Sequence, residues 1–148
     1  SRGLGDVYKR QDIVMMLNGA LAGLVAITAE PLTPGPITAM FIGSIGAIIM
    51  YFGTKMLESY GLDDVVGAIP VHMFAGIFGT LVVPLTNSET SFGTQFIGTA
   101  SVCIFSFGLS WITFTLLKST IGLRISKAAE KLGTDKAEVG VTAYSIRD

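Results

Sequence analysis

Four long stretches without any charged side chain dominate this sequence and restrict the folds open to it. Residues 13–29, 31–54, 65–88 and 90–117 contain no Asp, Glu, Lys or Arg, and together they make up 93 of the 148 residues. About 20 apolar helical residues cross a bilayer core about 30 Å thick, so each stretch has the required length, the first marginally. Backbone groups in lipid must be satisfied internally, and runs without strict alternation exclude a barrel. The sequence therefore predicts an all-α, polytopic transmembrane helical bundle.

The composition supports a membrane location and argues against other classes. Apolar residues make up 50% of the chain and charged residues 14%, whereas about a quarter of an average soluble chain is charged. The net charge is −1 and no basic stripe precedes the last thirty residues, which argues against nucleic acid as a partner. The one cysteine, Cys103, excludes an internal disulfide or a cysteine metal site. We expect no metal, no cofactor and no enzymatic activity, because no nucleophile–base pair or metal-ligand cluster is present.

The chain divides into a short leader, a membrane domain and a polar tail. Residues 1–11 are polar and do not resemble a signal peptide, and we expect them to be a non-native leader of a truncated reading frame. The membrane domain is predicted over residues 12–118 and the tail over 119–148. Prolines and polar turns divide the membrane domain into spans at about 13–29, 37–53, 65–85 and 92–117.

The distribution of basic residues predicts the orientation of the chain in the membrane. The connections at 30–36 and 86–91 contain no Lys or Arg, whereas Lys55 lies in the middle connection. Further basic residues follow the last span: Lys118, Arg124, Lys127, Lys131, Lys136 and Arg147. Basic residues are retained on the cytoplasmic side, so the middle connection and the carboxyl terminus are predicted inside a multi-pass protein of the inner or plasma membrane.

Small residues four positions apart recur along the predicted spans. Such pairs let helix backbones approach closely in lipid, where packing drives association. They predict a tightly packed bundle and carry no information about a substrate. The pairs are Gly19 and Gly23, Ala22 and Ala26, Gly43 and Ala47, and Ala75 and Gly79.

His72 is the only histidine and the only ionisable residue in the third span. Counted as helix from Asp64, it lies ~12 Å along the span, close to the bilayer midplane. Pro70 is expected to remove a backbone hydrogen bond, kink the helix and free a carbonyl near the imidazole. Two interpretations remain open: a neutral histidine packed between helices and bonded to Ser or Thr, or a pore residue that holds a small polar molecule or passes a proton. Asp63 and Asp64 are predicted to cap the inner end of this helix.

Three sequence runs resemble the ammonium transporter (Amt/Mep/Rh) family. They are Met16–Thr28, Leu62–Thr80 and Ile121–Arg124, and the similarity extends over roughly residues 12–144 in family order. The first two runs are long, so the resemblance is specific.

The resemblance implies a homotrimer whose subunits each have eleven spans and their own narrow pore for ammonium or ammonia. This chain would be the last four spans and the cytoplasmic tail, and His72 would be the second of two pore histidines. The missing spans would carry the first pore histidine, so a fragment would not conduct alone. In bacterial members the inner face and tail are where PII-type signalling proteins dock.

Some positions depart from the family pattern. The family often has an acidic residue at the position of Gly67 and glycine at that of Met73. In the tail, the resemblance implies a regulatory coupling between subunits, with the candidate residues Arg124, Gly133, Asp135, Gly140 and Tyr144. Asp63 and Asp64 are also candidates for a contact with the tail.

Two other functions fit parts of the pattern. An ammonium sensor of the same fold would signal through its tail, although a tail of about thirty residues lacks a domain-sized apolar pattern. A stand-alone four-span membrane protein would leave His72 as a single buried imidazole.

Overall fold

The computed structural model describes residues 13–141, and all regular structure in this range is helical. The predicted all-α fold class is confirmed. The predicted leader and Tyr144 lie outside the described residues. In chain order the elements are α1 (Ile13–Ile27), α2 (Pro36–Ser59), a π-helical segment (Ile69–Phe74), α3 (Ala75–Val82), a 3-10 turn (Val83–Leu85), α4 (Phe92–Thr120), α5 (Lys127–Leu132) and a second π-helical segment (Asp135–Val139).

The three consecutive segments between Ile69 and Leu85 form one continuous helix, called the third helix below. The chain divides into two compact units, one up to Val102 and one from Cys103 onward. The first unit contains α1, α2 and the third helix, which make up the three-helix bundle. Because α4 begins in the first unit and continues into the second, the boundary lies within a helix.

Local sequence signals explain where α2 begins and ends. Pro36 occupies its first position, where an amide hydrogen would have no partner within the helix. At the other end, the amide of Gly61 donates to the carbonyl of Glu58 and that of Leu62 to the carbonyl of Leu57. Gly61 has a φ of 68°, which glycine adopts without strain, and this reversal ends the helix.

Small residues bring α1 and α2 into close contact. A Cβ atom added at Gly23 would lie 3.1 Å from the carbonyl oxygen of Gly43, and one added at Gly46 would lie 2.6 Å from Cβ of Ala26. Side chains larger than hydrogen at these positions would push the two helices apart. The second half of α1 contacts the first half of α2, so the two helices are antiparallel. The predicted close packing through small residues is confirmed here.

The third helix packs against both α1 and α2. A Cβ atom at Gly79 would overlap the backbone of Ala26, and one at Gly53 would lie 3.1 Å from Cβ of Pro70. The last turn of α1 thus contacts the second half of the third helix, so these two helices are parallel and the bundle runs up, down and up. Its buried apolar cluster comprises Ala22, Met50, Val71 and Ala75, with Met15 and Val25 packed against it.

The observed helices differ in length from the predicted spans. α2 extends to Ser59, so Lys55 and Glu58 lie on its last turns, with Nζ and Oε2 3.3 Å apart. The third helix begins at Ile69, whereas position 65 was predicted, because residues 65–66 form a turn. Among the described helices, α2 and α4 are long and apolar enough to cross a membrane, while α1 and the third helix are apolar but shorter.

The second unit contains the rest of α4 and the described part of the tail. No residue of α4 is buried, and the rings of Phe107 and Trp111 lie 6.0 Å apart on its surface. The short helix α5 follows, capped by Ser126, whose Oγ accepts a hydrogen bond from the amide of Ala129.

Candidate functional site

The third helix opens with a wide turn that carries His72. Across Ile69–Phe74 the backbone is π-helical, and the amide of Ala75 donates to the carbonyl of Pro70, five residues earlier. Short π-helical turns are rare in proteins, and those that occur often lie at functional sites. Pro70 and Val71 are buried, whereas His72 is exposed. The wide turn therefore carries the imidazole on the surface of the three-helix bundle.

His72 does not pack between the helices that the structure describes. No hydrogen bond joins its imidazole to any residue within 13–141. The helices described here therefore supply no Ser or Thr partner for His72, and both interpretations of this histidine stay hypotheses. The depth of ~12 Å assumed an unbroken helix from Asp64, and this assumption is also wrong, because the helix begins at Ile69 and His72 lies in its first turn.

Asp64 lies at the start of the third helix and pairs with its first amides. Its Oδ1 accepts a hydrogen bond from the amide of Ala68 at 2.9 Å, and its Oδ2 accepts one from the amide of Ile69 at 2.8 Å. The first amides of a helix have no partner within the helix, and a carboxylate there also meets the positive end of the helix dipole. Asp63 is exposed and makes no hydrogen bond with the described residues.

A second side chain reaches the same helix start from α1. Nδ2 of Asn18 donates to the carbonyl oxygen of Val66 at 3.0 Å. Val66 precedes the helix, whose first hydrogen bond runs from the amide of Val71 to the carbonyl of Gly67. Pro70 therefore lies in the first turn, where an amide hydrogen would have no partner within the helix. The expected kink and the expected free carbonyl near the imidazole are not found.

Gly67 makes this contact possible. Its φ is 74°, and a Cβ atom added to it would lie 2.5 Å from Nδ2 of Asn18. A larger residue in this conformation would be strained and would displace the Asn18 amide. The geometry accounts for glycine at this position. The sequence pattern did not single out Asn18, although it is the only amide side chain in the first uncharged stretch.

At the opposite end of the bundle, Glu30 and Asn87 join two connections. Nδ2 of Asn87 donates to Oε2 of Glu30 at 2.9 Å, and the amide of Leu32 donates to Oε1. These hydrogen bonds, above all the one from Asn87, hold the pKa of the Glu30 carboxyl below its usual value, against a smaller opposing effect of desolvation. The two connections that lack Lys and Arg therefore meet at one end of the bundle.

A cleft of about 370 Å³ opens beside the capped end of the third helix. Three carboxylates line it, from Glu58, Asp63 and Asp64, together with Thr54 and the apolar side chain of Leu57. Two of these carboxylates already have partners, because Glu58 pairs with Lys55 and Asp64 accepts from the helix amides.

The described tail residues form local structure among themselves. Nη2 of Arg124 lies 2.7 Å from Oε1 of Glu130 in an exposed ion pair. Gly133 and Gly140 both have positive φ, 97° and 73°, and they follow α5 and the second π-helical segment. Asp135 lies next to Gly133, because a Cβ atom on the glycine would be 2.6 Å from Oδ1. Both glycines thus meet a backbone requirement of the tail itself.

Comparison with known proteins gives a consistent result. The model of the Ammonium Transporter Family matches residues 4–144. The chain is 37% identical to an ammonium transporter of Archaeoglobus fulgidus, over 91% of this chain and 33% of that protein. It is 38% identical to a putative ammonium transporter of Synechocystis sp. (83% and 25%), and 34% identical to an ammonium transporter of Methanocaldococcus jannaschii (96% and 36%). The chain thus spans about a third or less of the length of these relatives.

Proposed function

The chain belongs to the ammonium transporter family, and from that membership we propose that the protein containing it moves ammonium or ammonia across a membrane, past His72. The observation that carries the proposal is the placement of His72. Its imidazole is exposed on a π-helical turn whose neighbours Pro70 and Val71 are buried, and it has no hydrogen-bond partner in the described residues.

The chemistry of imidazole suits such a path. A neutral imidazole has one donor and one acceptor, so it can hold a small polar molecule and can exchange a proton with it near neutral pH. A hydroxyl on the same helix is committed elsewhere, because Oγ1 of Thr80 donates to the carbonyl of Gly76 at 3.0 Å. Of the two polar side chains His72 and Thr80, His72 is the one whose polar atoms make no hydrogen bond with the described residues.

The proposal includes an orientation for the chain. The connections at Glu30 and Asn87 would face outward, and the Asp64 end, Lys55 and the tail would face the cytoplasm of an inner or plasma membrane. The supporting observations are the hydrogen bond that joins the two connections without Lys or Arg and the location of Lys55 at the other end of α2.

The assembly and the tail are part of the same proposal. We expect a homotrimer, in line with the family resemblance and with the large apolar side chains that α4 exposes. Arg124, Gly133, Asp135, Gly140 and Tyr144 would form a regulatory tail. A PII-type signalling protein would be a partner at the cytoplasmic face.

The test is ammonium transport by the protein that contains this chain, reconstituted in liposomes. His72→Ala should lower ammonium flux or admit potassium, because the path loses its polar group. Thr80→Val is the matched control, since it removes a polar group whose hydrogen bond stays within its own helix. It should transport like the wild type. Wild-type flux and selectivity in His72→Ala would refute the pore assignment.

A further inference from the structure

We propose that Asn18 is a positioning residue for His72. By donating to the carbonyl of Val66, it ties α1 to the residue before Gly67, and so fixes the start of the third helix. The proposal rests on the proposed function only where it predicts an effect on transport. The geometry can be tested without any transport measurement.

Asn18 on α1 holds the carbonyl of Val66 by a hydrogen bond of 3.0 Å. Val66 precedes the third helix, and the positive φ of Gly67 turns this carbonyl away from the helical hydrogen-bond pattern. The bond therefore joins α1 to the peptide between Val66 and Gly67. Removing the Asn18 amide would leave this peptide without its hydrogen bond to α1.

A short series of contacts transmits this constraint to His72. Gly67, next to Val66, has a φ of 74° and accepts a hydrogen bond from the amide of Val71 at 3.1 Å. Val71 is 2% exposed and belongs to the buried cluster of the bundle. His72 follows directly. A shift of the Val66–Gly67 peptide would therefore change the turn that orients the imidazole.

The experiment uses His72 as a spectroscopic probe. The protein that contains this chain is labelled with 13C at the histidine Cε1 position, placed in lipid nanodiscs and examined by NMR, and the His72 signal is the one that His72→Gln removes. Asn18→Leu should move the His72 signal by more than its linewidth. Asn87→Leu is the matched control, because it removes the same kind of amide, with a similar 2.9 Å hydrogen bond, at the opposite end of the bundle. It should leave the signal in place.

Asn18→Asp is the second variant, because it keeps the size of the side chain and replaces the amide donor with a carboxylate. It should also move the His72 signal by more than its linewidth. If Asn18→Leu does not fold, Asn18→Asp decides: a folded protein with a displaced signal supports the proposal, and a signal at the wild-type position overturns it.

The proposal is also overturned if Asn18→Leu leaves the signal at its wild-type position, or if Asn87→Leu moves it as far. Either result would mean that the Asn18 amide does not orient His72.

Discussion

One asparagine side chain forms a hydrogen bond at each end of the three-helix bundle, and the chain has no other asparagine. At one end Asn87 donates to the carboxylate of Glu30 and joins two connections. At the other end Asn18 donates to the main-chain carbonyl of Val66, where a helix begins. The amide donors and the distances are alike, but the acceptors differ: one is a charged side chain and the other is a backbone group.

The contact between Asn87 and Glu30 connects two loops, whereas the contact between Asn18 and Val66 fixes the place where a helix begins. The Glu30 carboxylate lies in a connection and has several donors, so the loss of one leaves others and water. The Val66 carbonyl is held by the Asn18 amide, directly before the left-handed Gly67 that leads into the third helix. Changes at the Asn18 end should therefore affect the fold and His72 more strongly than changes at the Asn87 end.

The largest effect is expected at Gly67. Gly67→Ala places a Cβ in a left-handed conformation and against the Asn18 amide, which should lower the free energy of unfolding by about 2 kcal/mol. Gly98→Ala, within α4, is the control, because Gly98 has no positive φ and a Cβ there meets no atom within 4 Å. Unfolding in a denaturing detergent, followed by circular dichroism, measures both. If Gly67→Ala were as stable as the control variant, the left-handed backbone observed at Gly67 would be contradicted.

A smaller effect is expected at the carboxylate cap. Asp64→Ala removes two hydrogen bonds to the first amides of the third helix and should lower the free energy of unfolding by about 1 kcal/mol. Asp63→Ala removes the neighbouring carboxylate, which has no such partner in the described residues, and should be close to neutral. The same detergent titration compares the two. The cap would be disproved if both substitutions destabilised the chain equally.

The smallest effect is a pH dependence confined to the Asn87 end. Because the hydrogen bond from Asn87 lowers the pKa of Glu30 below 4.5, the charged carboxylate stabilises the folded state fully above pH 4.5. This contribution is lost as the pH falls through the folded-state pKa. With 15N-labelled asparagine, the Asn87 side-chain signal should move in that range, and Glu30→Gln should abolish the movement. An Asn87 side-chain signal that does not change with pH would argue against the hydrogen bond between Asn87 and Glu30.

The sequence predicted the class of fold because its signals are long and redundant. Uncharged stretches indicated the helices, and small residues at spacing four indicated the close contacts of Gly23 with Gly43 and of Gly79 with Ala26, although not that of Gly46. The boundaries were harder to predict. Hydropathy does not report where a helix ends, so the continuation of α2 through Lys55 and the later start of the third helix at Ile69 depended on local hydrogen bonds.

The candidate site was predicted in part. His72 was singled out because an ionisable group in an apolar stretch is unusual, and Asp64 because its position suits a cap. The role of Asn18 could not be predicted, because its acceptor is 48 residues away in the sequence and is a backbone carbonyl. Only the packed helices bring this amide to the Val66 carbonyl.

The most direct test of the account compares ammonium flux for the two asparagine substitutions in the protein that contains this chain. Asn18→Leu and Asn87→Leu proteins are reconstituted in liposomes, and flux is divided by the amount of protein in the bilayer. The account predicts that Asn18→Leu loses most of the flux or its selectivity over potassium, while Asn87→Leu transports like the wild type. Wild-type transport by Asn18→Leu, or an equal loss in both variants, would contradict it.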